Sequence, residues 1–275
     1  MSKGKYILVD GTFVSTEEYQ ISLVESDAIH FTEKIRAIRT TFPFFKETLD
    51  SIRFKLFLYN QSFPEFTEND GSALRRQLER TLTKNKHYLG AILTLTLRFS
   101  GQKIQFTIQS EKTDQVGYEL NEKGLYTEIF EPIKKSISTL SHLSLGSEIF
   151  WDIAKSHQKE STTDELLLVN TSDQIIETYE SNMYLIKGKT AKGAGSEQGA
   201  YQDITKPLML DVFKKLKLDY AENEGITKSD LYEADELLIV NSIKGIRWVI
   251  GFENKRYFNH TIRRITDLFN QLIFS

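Results

Sequence analysis

The run from Asp164 to Lys187, Asp-Glu-Leu-Leu-Leu-Val-Asn-Thr-Ser-Asp-Gln-Ile-Ile-Glu-Thr-Tyr-Glu-Ser-Asn-Met-Tyr-Leu-Ile-Lys, constrains this chain more than any other segment. Apolar, β-forming residues flank a polar turn, so the pattern predicts a β-hairpin over 164–186. It also places a glutamate, Glu177, and an asparagine, Asn182, at matched points around a turn. A later run, Glu236-Leu-Leu-Ile-Val240, reads as a buried strand that Asn241-Ser-Ile-Lys-Gly245 turns into Arg247-Trp-Val-Ile250.

The rest of the chain alternates between the two periodicities. Asp10-Gly11 lies between Tyr6-Ile-Leu-Val9 and Thr12-Phe-Val14, a hairpin signal because glycine supplies the positive φ of a tight turn. From Phe42 to Tyr59, residues Leu49, Ile52, Leu56 and Tyr59 fall at helical spacing, and Leu74 to Leu82 repeat the pattern. Gly90–Leu97 and Lys103–Ile108 read as a second hairpin around Ser100-Gly101. The polar run Ser110–Gly117 lacks periodicity and reads as a linker, which divides the chain into domains 1–115 and 116–275. Beyond it, Ser147–His157 and Ile204–Leu218 read as helices, the latter with Pro207 in its first turn. Gly193–Gly199 reads as a flexible loop, and Phe258–Phe269 as a closing amphipathic helix.

Composition narrows the function. The absence of cysteine removes disulfides, thiolate metal sites and cysteine nucleophiles, and suits a cytoplasmic protein. A net charge of −3 from 35 basic and 38 acidic residues supplies no positive field for a phosphate backbone, so nucleic acid is not expected as a partner. No apolar stretch has the length of a membrane span or a signal-peptide core, so no membrane partner is expected either. The histidines at 30, 87, 142, 157 and 260 show no metal-ligand spacing. A Ser144–His142 dyad has no glycine-flanked serine elbow to support it, and Gly193-x-Gly195 is too short for a phosphate loop.

The run 164–187, the segment Ala234-Asp-Glu-Leu-Leu-Ile-Val-Asn-Ser-Ile-Lys-Gly-Ile-Arg-Trp-Val249, the opening Val-Asp-Gly hairpin and the tail Asn254-Lys-Arg-Tyr-Phe-Asn259 together resemble the class IV aminotransferases. These are fold-type-IV pyridoxal-phosphate enzymes, and the likeness is closest to members such as 4-amino-4-deoxychorismate lyase and branched-chain aminotransferase. The resemblance implies a two-domain α+β fold of the D-amino-acid aminotransferase type, with an N-terminal α/β sandwich and a C-terminal β-rich pseudo-barrel. It also implies pyridoxal 5′-phosphate as cofactor, a homodimer, and a small amino-acid or aminodeoxychorismate-like ligand.

Residue by residue, the resemblance puts Glu177 against the pyridine nitrogen, where a negative charge keeps the ring protonated. It matches Ser181 and Asn182 to the family's Ser-Asn pair, and Thr205 and Ser242 to the two turns that clamp the phosphate. Taken without it, Glu177 is a solvated strand carboxylate, Ser181 and Asn182 are turn formers, and Thr205 or Asp203 is a helix N-cap.

Several positions depart from the pattern. An ungapped match through Asp164-Glu165 sets Ser144 at the position of the Schiff-base lysine, and a serine forms no imine. Lys134 and Lys135, ten and nine residues upstream, read as a solvated charged patch, and Lys155, eleven downstream, as a helix-surface residue. Asp203 stands where a glycine is expected in the phosphate clamp, and an anion there repels phosphate unless it points away. Ser51 replaces the arginine of the family's His-x-x-Arg-Leu helix, with Arg53 on another side, and no glycine-rich turn precedes Glu33-Lys-Ile-Arg36. Two functions are therefore expected: a pyridoxal-phosphate transaminase or lyase with a relocated lysine, or a catalytically degenerate member serving as a binding or partner-regulating module.

Overall fold

A computed structural model describes residues 2–20, 28–101, 103–222 and 224–274. The chain divides into two compact units, 1–117 and 118–275. Asp27, which opens the segment standing where the family has its glycine-rich turn, lies outside the described residues.

In the first unit, strands β1 (Ser2–Lys3), β2 (Tyr6–Val9), β3 (Thr12–Ser15), β4 (Ile29–Ile38), β5 (Gly90–Ser100) and β6 (Lys103–Lys112) form a sheet ordered β3-β2-β6-β5-β4, with β1 on β6. Asp10 and Gly11 take φ of 44° and 85°, the left-handed pair that a two-residue hairpin turn requires. Helices α1 (Phe45–Leu58), α2 (Pro64–Thr67) and α3 (Ser72–Asn85) accompany the sheet. Their spacing decides which face is covered: Leu49, Ile52 and Leu56 of α1 and Leu74, Leu78 and Leu82 of α3 are buried, one helical turn apart.

The polar run Ser110–Gly117 is not a linker throughout. Its first three residues complete β6, where Leu93 pairs with Ser110 and Ala91 with Lys112. Ser110 is buried there and receives Asn85 Nδ2 at 3.0 Å, so a polar residue satisfies a strand position that hydrophobicity does not mark.

The second unit holds β7 (Leu125–Lys135), β8 (Glu165–Asn170), β9 (Ile175–Glu177), β10 (Asn182–Lys187), β11 (Thr190–Gly193), β12 (Asp219–Ala221), β13 (Glu236–Asn241), β14 (Gly245–Phe252) and β15 (Lys255–Arg256). They form a sheet ordered β12-β11-β10-β13-β14-β7-β8-β9, with β15 on β14. Its helices are α4 (Glu148–Gln158), α5 (Lys206–Lys215), α6 (Lys228–Glu233) and α7 (His260–Ile273). The sheet curls as a half-barrel around Leu167, Val169, Met183, Leu185, Leu237 and Ile239. On the other face of β8, Leu166 and Leu168 pack with Phe130, Trp151 and Ala154 under α4. A strand buried on both faces reads as an unbroken apolar run, which is why Leu166–Val169 shows no alternation.

The segment 164–186 is not a single hairpin. β8 and β9 are antiparallel, but β10 leaves β9 after the one bridge Thr178–Ser181 and pairs with β13. Two turns separate the three strands, the first held by Asn170 Oδ1, which accepts from Ser172 N and Gln174 N at 2.9 Å each. Such side-chain turns are local chemistry, whereas the choice of β13 as partner is not. Gly193–Gly199 is a hydrogen-bonded turn, buried except at Ser196 and Glu197: Gly195 N donates to Gln198 Oε1 at 2.8 Å, and Asn170 Nδ2 donates to Gln198 O at 2.9 Å. A Cβ on Gly193 would stand 2.9 Å from the Tyr184 ring, so close packing requires that glycine.

Candidate functional site

Glu177 closes β9 and is fully buried, contrary to a solvated strand carboxylate. A buried carboxylate needs partners for both oxygens. Lys135 Nζ donates to Oε1 at 2.9 Å and to Oε2 at 2.8 Å. Trp151 Nε1 donates to Oε1 at 2.7 Å, and Tyr201 N donates to Oε2 at 2.5 Å. Burial pushes the Glu177 carboxyl up and the Lys135 amine down, and in each case their mutual attraction and hydrogen bonds oppose the shift.

Lys135 corrects the expectation of a solvated Lys134-Lys135 patch. Lys134 is 44% exposed and pairs with Asp173 at 2.5 Å, whereas Lys135 is 3% exposed. The cause is a bulge. Pairing between β7 and β8 is regular through Phe130–Leu168, then skips to Lys135–Asn170 across Pro132. Proline removes a ladder donor and favours such interruptions, and the register shift aims the last strand residue inward after four exposed ones. Lys155 lies on α4 with its amine 3.3 Å from Tyr179 Oη.

Trp151 and Tyr201 complete this end of the site. The tryptophan lies on the apolar face of α4, and the Tyr201 ring meets it edge-on at 4.9 Å. Neither was singled out in the sequence. The available signal was that a buried indole N–H needs an acceptor, and Glu177 is that acceptor.

Ser144 opens the 3₁₀ turn Ser144–Gly146 that leads into α4 and is half-buried. Its carbonyl accepts from Ser147 N at 2.9 Å, and its hydroxyl takes no part in the bonds that join Lys135, Trp151 and Tyr201 to Glu177. His142 contributes its carbonyl to Gln202 N at 2.9 Å.

A second buried carboxylate defines the other end. Thr205 caps α5, with Pro207 in the first turn, and Asp203 lies two residues before it. Asp203 Oδ1 accepts from Thr205 N at 2.9 Å, Thr205 Oγ1 at 2.6 Å and Ser242 N at 3.1 Å. Its Oδ2 lies 3.4 Å from Tyr201 Oη and 3.5 Å from Ser242 Oγ. The carboxylate therefore points into the donors of the two turns, not away from them. Asn182 Oδ1 accepts from Asp203 N at 3.0 Å, while its Nδ2 donates to the Tyr201 carbonyl. Asn241 Nδ2 donates to Ser181 Oγ at 2.9 Å. The structure thus brings Glu177, Asn182, Thr205 and Ser242 together through Tyr201 and Asp203.

In the first unit, Ser51 Oγ donates to Glu33 Oε1 at 2.6 Å, beside an ion pair of Lys55 with the same oxygen at 2.7 Å. Arg53 turns outward and donates to the Thr67 carbonyl at 3.1 Å.

Burial pushes the Asp203 carboxyl up to about 6, against the donors from Thr205, Ser242 and Tyr201. The folded chain therefore takes up this proton before the unfolded chain as pH falls. The group's contribution is unfavourable above pH 6, lessens as pH falls through 6 and vanishes below the ordinary value of 3.8. Between pH 7 and 4, stability of the parent chain should rise by on the order of 2 kcal/mol relative to Asp203→Asn. Parallel urea midpoints for the two chains across that range would refute the assignment.

A family model described as amino-transferase class IV matches residues 66–250. A curated relative from Aquifex aeolicus, named a probable branched-chain-amino-acid aminotransferase, is 25% identical over 130 residues, which are 47% of this chain and 42% of the relative. The match thus spans less than half the length of that relative. Among solved structures, a Legionella pneumophila protein named for 4-amino-4-deoxychorismate lyase aligns with a TM-score of 0.79 at 18% identity, covering 93% of this chain and 96% of that one. The branched-chain amino acid aminotransferase of Thermobaculum terrenum in its PLP form aligns with a TM-score of 0.81 at 13% identity, covering 100% and 95%. At these identities the structures establish the fold.

Proposed function

The chain belongs to the class IV aminotransferase family, and from that premise we propose that it is a catalytically degenerate member, kept as a binding or partner-regulating module. The carrying observation is the Lys135–Glu177 pair, with Nζ within 2.9 Å of both carboxylate oxygens. In the family reading Glu177 serves a pyridinium. Here Lys135, Trp151 and Tyr201 supply its donors, so a cofactor ring would have to displace a buried ammonium. Ser144 offers no amine for an imine, and Asp203 sets a carboxylate among the donors that a phosphate would need. The residues present do not suit pyridoxal phosphate held in the family's manner.

A second reading has one observation in its favour. Burial lowers the pKa of Lys135, and a desolvated amine is the form that attacks carbonyls. It would make the chain a transaminase or lyase with Lys135 in place of Ser144. Geometry argues against it, because the ring nitrogen and the imine carbon lie at opposite ends of a pyridine. A lysine touching both oxygens of Glu177 leaves no ring's length between them.

One experiment decides between the two. The protein is incubated with excess pyridoxal phosphate, scanned for an aldimine band, reduced with borohydride and mapped. Degeneracy predicts no band and no stoichiometric adduct on a single residue. A full adduct on Lys135 would overturn it. The dimer general to the family is also proposed here; equilibrium sedimentation at half the dimer mass would contradict it.

A further inference from the structure

The opposite end of the site carries an inference that rests on the degenerate reading and deepens it. We propose that Asp203 is a built-in anion occupying a latent oxyanion cup, so that the protein supplies from its own chain the negative charge that a phosphate monoester would otherwise bring. The cup is made by Thr205 N, Thr205 Oγ1, Ser242 N, Ser242 Oγ and Tyr201 Oη, all of which surround one carboxylate at 2.6–3.5 Å.

This donor set exceeds what a helix cap uses. An aspartate capping a helix accepts from one or two amides of the first turn. Asp203 draws donors from Thr205 at the cap of α5, from the β13–β14 turn 39 residues later and from the Tyr201 phenol. Three of them converge on Oδ1 alone. Such convergence suits a group with more oxygens and more charge than a carboxylate, which is what phosphate has. From the start of α5 the carboxylate takes the Thr205 amide, while Lys206 N donates to the Asp203 carbonyl and Pro207 has no N–H.

Two features fix the carboxylate in place. Asn182 Oδ1 accepts from Asp203 N at 3.0 Å, and the carbonyl of Asp203 accepts from Lys206 N at 2.9 Å. The side chain therefore springs from an anchored backbone and has the reach to fill the cup. Lys135 plays the matching part at Glu177, where an ammonium stands in the place of a ring cation. The chain itself thus fills both ends of the site, with an ammonium at Glu177 and a carboxylate among the donors of Thr205, Ser242 and Tyr201.

The test uses inorganic phosphate, followed by titration calorimetry and by the amide resonances of Thr205 and Ser242. The parent chain should bind none at these amides at pH 7.5. Asp203→Gly and Asp203→Ala should each bind phosphate at least tenfold more tightly than the parent, with both amides shifting. Asp203→Asn should not, because its amide still fills the cup. Adding Thr205→Val to Asp203→Ala should abolish the gain. Parent-chain amides that shift with phosphate overturn the proposal, and this holds even if the variants do not fold. Folded Asp203→Ala or Asp203→Gly that bind no better than the parent also overturn it. An adduct on Lys135 in the borohydride experiment would instead sink the degenerate reading, so the two failures are distinct.

Discussion

Lys135→Met is expected to lower the unfolding free energy by about 3–5 kcal/mol, the usual result of removing one partner from a buried ion pair. Glu177 would keep Trp151 Nε1 and Tyr201 N but lose the positive charge of Lys135 beside it, in a position with no exposure. The loss should depend on pH. With Lys135 gone, desolvation holds the Glu177 carboxyl above its ordinary value more strongly, so the penalty is complete at neutral pH and eases as pH falls and the group takes up a proton. Lys135→Met with Glu177→Gln should recover part of the stability, because the buried charge is gone, although one amide oxygen then serves the two donors Trp151 Nε1 and Tyr201 N. Urea denaturation at pH 5 and pH 8 measures all three chains. A loss under about 1 kcal/mol for Lys135→Met, typical of exposed pairs, would mean that water reaches Lys135 and that the pair does not close the ring end.

Trp151→Ala should cost a similar amount, about 3–5 kcal/mol, for a different reason. The indole is buried among Phe130, Ala154, Leu166 and Leu168, with Tyr201 edge-on, so truncation opens a cavity between α4 and β8. Trp151→Phe separates packing from hydrogen bonding. It keeps most of the volume and removes only the donor to Glu177 Oε1, so it should cost about 1.5–3 kcal/mol, the range for a hydrogen bond to a charged group. A double-mutant cycle of Trp151→Phe with Glu177→Gln should show coupling, since the two share that bond. Additive effects within error would exclude the indole as a partner of the carboxylate. Both results bear on function, because the donors that stabilise Glu177 are the ones that leave it no valence for a cofactor ring.

Some of the site was legible in the sequence and some was hidden. Glu177, Asn182, Thr205 and Ser242 stand in recognisable runs, and the structure gathers them within one unit. The burial of Lys135 is not legible locally, because Pro132-Ile-Lys-Lys-Ser136 has the composition of a surface and the bulge that buries one of its two lysines depends on pairing with β8. Tyr201 was missed because the bond to Glu177 comes from its backbone N–H, which every non-proline residue carries. Asp203 is legible as an anion where the resemblance expects a glycine, but its direction depends on Ser242, 39 residues away.

The sequence by itself determined what local physics governs: the Asp10-Gly11 turn, the leucine spacing of α1 and α3, the doubly buried apolar runs of β8 and β13, and a family membership carried by several motifs in order. Only the tertiary structure decided which charges meet. Glu177 finds its ammonium 42 residues away, its indole 26 away and its amide 24 away, and Asp203 finds Ser242 at a separation of 39. A one-residue change of register reverses which side chains face inward, so these partnerships follow from strand pairing and a bulge. No window of sequence short enough to read locally contains them.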